Sequence, residues 1–71
     1  MAEIINITIR DEFITLGQLL KIADLISSGG ETRAFLASHS VTVNDEKEDR
    51  RGRKLYKGDL VRIESRTYEI C

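Results

Sequence analysis

The sequence predicts an α+β domain: two short helices packed on a small, mostly antiparallel β-sheet. Three observations predict it. Isoleucines alternate with polar residues near the N-terminus, two helix-start signatures follow in succession, and the rest reads as short alternating runs split by turn residues.

Residues 3–10 place Ile5, Ile7 and Ile9 on one side and Asn6, Thr8 and Arg10 on the other, the pattern of a half-buried strand. Ile4 breaks it only at the fraying end, and Asp11-Glu12-Phe13 links to the next element. Thr15 and Gln18 then stand as a capping box, with Ile14 and Leu19 able to staple across it. Leu16, Leu19, Leu20, Ala23 and Ile26 recur at helical spacing, leaving Gln18, Lys21 and Asp24 outside, so a helix should run to about Leu25. Gly17 weakens its first turn slightly.

Ser28 and Glu31 repeat the capping-box spacing and predict a second helix over 29–38, burying Ala34, Phe35 and Leu36. Two helices joined so tightly must pack as a hairpin or cross steeply. Ser38-His39-Ser40 closes the second helix, Val41 and Val43 begin a strand, and Asn44-Asp45 signals a turn, since both residues tolerate left-handed backbone. Residues 46–53 are too polar for core and are expected as the tip and return of a hairpin, with Leu55 as the first apolar anchor. Tyr56-Lys57-Gly58-Asp59 marks another turn; Leu60-Val61-Arg62-Ile63-Glu64 is a strand that Ser65-Arg66 hairpins to Thr67-Tyr68-Glu69-Ile70.

Seventy-one residues make one domain, in which a chain of this size buries only about 60% of its unfolded surface. The single cysteine, Cys71, rules out an internal disulfide and a cysteine-rich zinc site. No apolar run approaches the roughly 18 residues of a membrane span and the N-terminus has no basic-then-apolar leader, so a cytoplasmic protein without membrane association is expected. No Ser-His-Asp, Cys-His or Walker-type pattern is present, so neither an enzyme nor a cofactor is expected. Asp45, Glu46, Glu48 and Asp49 lack the spacing of a calcium loop and read as a solvated acidic tip.

Charge distribution says more than the net charge of −1. Arg50, Arg51, Arg53, Lys54 and Lys57 put five of the eleven basic residues into eight positions with no acid among them. Upstream, Gly29 and Gly30 sit in the first turn of a helix, where they offer bare backbone N–H groups at the positive end of the dipole, and Arg33 follows one turn later. Phosphate is the anion such an arrangement suits. Phe13, Phe35 and Tyr68 read as core, whereas Tyr56, beside the basic run, is the aromatic best placed to stack on a base.

The run 14–63 resembles the S4 RNA-binding domain. The residues that carry the likeness are Ser27-Ser28 before a helix, Glu31 and Arg33 within it, Val41-Thr42-Val43-Asn44, and Lys57-Gly58-Asp59-Leu60-Val61. Ser28-Gly29-Gly30-Glu31 with Arg50-Arg51-Gly52-Arg53-Lys54-Leu55 is similar, within that family, to the small stand-alone bacterial proteins of the YaaA/YbcJ type. The resemblance implies one S4-like domain over 1–71 that binds structured RNA, ribosomal or transfer RNA, as a monomer. Carried over by position, the contacts would fall on Ser28, Gly29, Gly30, Thr32, Arg33, His39, Arg50, Arg51, Arg53 and Lys54. Gly29 stands where Arg is usual in the family, and His39 and Asp45 stand where Gly is common. A protein-binding adaptor is the alternative reading. A ubiquitin-like sulfur carrier is a third, opposed by the ending Glu-Ile-Cys where such carriers end Gly-Gly.

Overall fold

The computed structural model describes residues 3–71; Met1 and Ala2, the first two residues of the expected domain, lie outside the described part. Among the described residues, seven strands and two α-helices follow one another as β1 (Glu3–Ile7), β2 (Phe13–Thr15), α1 (Leu16–Ile22), α2 (Thr32–Ser38), β3 (Val41–Val43), β4 (Glu46–Lys47), β5 (Lys54–Tyr56), β6 (Leu60–Ile63) and β7 (Arg66–Ile70). A 3₁₀ turn, Gly29–Glu31, leads into α2. Five strands form one sheet in the order β1-β7-β6-β3-β4, with β1 parallel to β7 and every other pair antiparallel. The α+β class and the mostly antiparallel sheet therefore hold.

A second sheet corrects the expected single one. The linker residue Phe13 opens β2, which pairs antiparallel with β5 through Phe13↔Tyr56, Ile14↔Leu55 and Thr15↔Lys54. Residues 48–53 are thus not the tip and return of a hairpin; they cross from one sheet to the other. The hairpin tip lies earlier, at Asn44 and Asp45, between the Val43↔Glu46 pair. The other two-residue turn is also one position earlier than expected, at Glu64 and Ser65, because Ile63 pairs with Arg66.

The core is aliphatic. Leu16, Leu19, Leu20, Leu55 and Val61 are wholly enclosed, and Ile7, Ile14, Val41, Val43, Ile63, Tyr68 and Ile70 close around them. Alternation decides β1, where Ile7 is buried, Ile5 half-buried and Ile4 exposed. Helix α1 starts on the predicted box: Gln18 N–H donates to Thr15 Oγ1 at 3.2 Å, and Thr15 N–H to Gln18 Oε1 at 2.8 Å. It ends earlier than expected, at Ile22, because Asp24 turns left-handed (φ 60°) and the Leu25 N–H bonds back to the Leu20 carbonyl at 2.9 Å. Helix α2 buries Thr32 and Leu36 and half-buries Phe35, whereas Ala34 is exposed, contrary to expectation.

Asn44 (φ 51°) and Asp45 (φ 70°) both occupy the left-handed region, the geometry of a two-residue hairpin turn that favours glycine second. His39, by contrast, is extended (φ −124°, ψ 147°) and needs no glycine. Asp45→Gly is therefore expected to stabilise the fold by roughly 0.5–1 kcal/mol, read as a rise of a few degrees in Tm. The same exchange at His39 should not stabilise.

Candidate nucleic-acid interface

The arginine run is built as a clamped turn. Arg53 N–H donates to the Arg50 carbonyl at 3.2 Å, which puts Arg51 and Gly52 at the apex. The start of α1 then holds the turn by its backbone: Leu16 N–H donates to the Arg53 carbonyl (2.9 Å) and Gly17 N–H to the Arg51 carbonyl (3.0 Å). These are donors that a helix start leaves without intrahelical partners, so the turn satisfies the helix while the helix orders the turn. The packing around Gly17 leaves room for one more carbon. A Cβ there would lie 3.5 Å from the Arg51 carbonyl oxygen and 3.6 Å from Thr32 Cγ2, so alanine fits but a longer side chain would push α2 and the turn apart.

Glu48 holds the other side of the turn. It is 7% exposed, in a stretch the sequence marked as solvated. Its carboxylate accepts five hydrogen bonds: from the Asp49 and Arg50 backbone N–H groups (both 3.1 Å), Arg50 Nε (3.0 Å) and Nη2 (3.1 Å), and Arg53 Nη1 (3.0 Å). The paired Arg50 side chain above all, and then the Arg50 amide and Arg53, lower its pKa from 4.5 to about 2 against the opposing effect of burial. The folded value lies below the unfolded one. The carboxylate therefore contributes stability that is present above pH 4.5 and lost as pH falls through about 2. Acid titration is expected to release the turn within that window, observable as loss of the Arg50 side-chain N–H signal by NMR before the core unfolds.

Two open grooves meet along this turn. One, of about 740 Å³, is lined by Arg33, Leu36 and Ala37 of α2 together with Lys47, Asp49, Arg50, Arg51 and Gly52. Its neighbour, of about 600 Å³, shares Arg50 and Gly52 and adds Arg53, Lys54, Tyr56 and Asp59. Six basic side chains thus face two adjoining grooves against the carboxylates of Glu48, Asp49 and Asp59. Among the described residues Arg33, Lys47, Arg51 and Lys54 form no ion pair, and Lys54 Nζ lies 4.9 Å from the centre of the Phe13 ring. Tyr56 is exposed at the lip of the second groove, tilted 50° to Phe13.

The structure brings Arg33, Arg50, Arg51, Arg53 and Lys54 of the candidate set together. The other five, Ser28, Gly29, Gly30, Thr32 and His39, fall elsewhere. Thr32 is 3% exposed and packs beside Gly17, so its place is structural. His39 lies on the other face of α2, its ring stacked on Phe35 at 4.0 Å and its Nδ1 3.1 Å from the Phe35 carbonyl. That face borders a small apolar hollow with Leu25, Ile63 and Tyr68, away from the arginine turn. Lys47 and Glu48 were missed by sequence reasoning. The Lys47 position was legible only as part of a polar stretch, and nothing local distinguished Glu48 from the acids around it.

Ser28, Gly29 and Gly30 line neither groove. At this helix entry the protein supplies its own anion: Glu31 Oε2 accepts from Ser27 N–H (2.7 Å), Ser27 Oγ (2.6 Å) and Ser28 N–H (2.9 Å), bonds that lower its pKa, the Ser27 hydroxyl foremost. The Gly29 and Gly30 amides have no protein acceptor among the described residues. A Cβ on Gly29 would meet nothing within 4 Å, so packing does not require the glycine.

No helix among the described residues is long and apolar enough to cross a membrane, and no group of three or more His, Cys, Asp or Glu side chains there could hold a metal ion. Comparison with known proteins adds two findings. A protein of Bacillus subtilis (strain 168) named "Probable ribosome maturation protein RlbA" is 62% identical over 58 residues, which cover 82% of each chain. The model of the S4 domain family matches residues 7–71, which take in β2 to β7, both helices and the arginine turn, and leave out all of β1 but Ile7. This chain belongs to the S4 domain family.

Proposed function

We propose that this chain is a non-catalytic, monomeric module of the cytoplasm that binds structured ribosomal RNA during ribosome maturation. The observation that carries the reading is the pair of adjoining basic grooves astride the arginine turn, with Arg33 reaching one of them from α2. Membership of the S4 family and the name of the Bacillus subtilis relative support it. The mechanism follows from the charges. Basic side chains displace counterions from phosphates, and arginine's fork suits two phosphate oxygens at once. An A-form duplex hides its major groove, so such a surface reads backbone shape, 2′-hydroxyls or a junction rather than base sequence.

The four unpaired cations plus partial use of Arg50 and Arg53 predict a log–log salt slope of about −3 to −5 for a ribosomal RNA fragment. A slope near zero in a filter-binding titration would remove the reading. Crosslinking in cells and sequencing of the attached RNA would identify the target. A pull-down that survives ribonuclease would favour the adaptor instead.

Gly29 and Gly30 lie outside both grooves, and what supports a part for them in RNA binding is only that their amides have no protein acceptor among the described residues. Gly29→Ala is expected to raise stability by about 0.4–1 kcal/mol, because the new methyl meets open space and the unfolded chain is stiffened. RNA affinity should fall several-fold in the same variant. Thermal melts and binding isotherms moving in opposite directions would separate the amides' role from any structural one.

A further inference from the structure

We infer that Glu48 is the positioning residue of this interface, its buried carboxylate setting the arginine turn in the shape that selects structured RNA over unstructured polyanion. The inference rests on the RNA-binding reading above. An acid inside a phosphate-binding surface opposes binding on charge alone. Yet Glu48 is among the most enclosed polar side chains of the described residues, and its five hydrogen bonds all go to the segment 49–53. A carboxylate placed there for solubility would be exposed, as Asp49 next to it is.

The geometry shows what it fixes. Arg50 is held through both Nε and Nη2, a forked pair that sets the orientation of its guanidinium plane while leaving its side chain 73% exposed. Arg53 is tied through one nitrogen only and keeps its others for a ligand. Backbone bonds from Asp49 and Arg50 to the same carboxylate stop the turn from opening on the side away from α1. Between the two clamps, the Arg51 side chain is left without an acid partner at the apex. Fixed guanidinium positions match a fixed array of phosphates, as in a folded RNA. A flexible strand can follow any array, and gains nothing from preorganisation.

Glu48→Gln separates positioning from charge because the two predict opposite signs. The probes are a labelled RNA three-way junction and poly(U) of equal length, at fixed salt. With Glu48 as a positioning residue, the variant binds the junction about 10-fold more weakly and poly(U) as tightly or up to a few-fold tighter. Its poly(U) salt slope steepens by about 0.7 for each arginine released. Hydrogen exchange supplies a reading independent of RNA: the Asp49 and Arg50 amides lose protection while those of Leu19 and Val61 keep theirs. Equal or tighter junction binding by the variant, or unchanged Asp49 and Arg50 exchange, overturns the inference. Should Glu48→Gln melt below the assay temperature, Arg50→Gln reads the same ratio, with junction binding falling more than poly(U) binding if the turn's shape matters and equally if only charge does. A wild-type protein that binds neither probe defeats the RNA reading itself, whatever the amides do.

Discussion

Replacing Arg33 and Arg51 together by alanine is expected to weaken binding to a ribosomal RNA fragment by about 100-fold or more, with Tm nearly unchanged. Each is an exposed side chain without an acid partner among the described residues, and both line the same groove from different elements. Hydrogen bonds to charged groups contribute about 1.5–3 kcal/mol each, and about 1.4 kcal/mol corresponds to a factor of ten. The salt slope should become shallower by about 1.4–1.8 if two phosphate contacts are lost. Stability should stay within about 0.5 kcal/mol, as for other surface changes. Arg66→Ala is the control: this arginine borders the apolar hollow near His39. Unchanged affinity in the double variant, or an equal loss in Arg66→Ala, would mean that general charge rather than the groove binds RNA.

The largest effect on stability is expected at Leu55. It has no exposed surface, and its strand partner Ile14 directly precedes the residue that caps α1. Leu55→Ala removes buried volume that a small domain cannot close over, at a cost of about 2–5 kcal/mol. A domain of this size has on the order of 4–10 kcal/mol in all, so a large part of the variant should be unfolded or close to it. The urea midpoint measures this. Leu60→Ala, at 43% exposed on β6, should shift that midpoint little. Because β5 leads directly out of the arginine turn, partly folded Leu55→Ala is also expected to lose RNA binding as far as it loses structure.

Local chemistry made several elements legible. Gln18 answers Thr15 across one helical turn, Asn44 and Asp45 accept left-handed backbone, and Ile5, Ile7 and Ile9 alternate; each signal lies within a few neighbouring residues. The pairing of β2 with β5 was not legible in that way. Two three-residue strands some forty positions apart have no periodicity long enough to register, and only the enclosed Ile14 and Leu55 bring them together. Ala34 misled because small apolar residues suit either face of a helix, and the side that faces inward was settled by Thr32 against Gly17.

By itself the sequence determined the class of fold, the start of α1, the Asn44-Asp45 turn and the existence of a concentrated basic run, because all of these are properties of adjacent residues; α2 begins at Thr32, behind a 3₁₀ turn where the sequence predicted helix. Tertiary structure alone decided which of those charges are available. A charge's value depends on its neighbours in space, and Glu48, placed among identical-looking acids, is folded inward to engage Arg50 and Arg53 while Arg33 and Arg51 are left open on one groove.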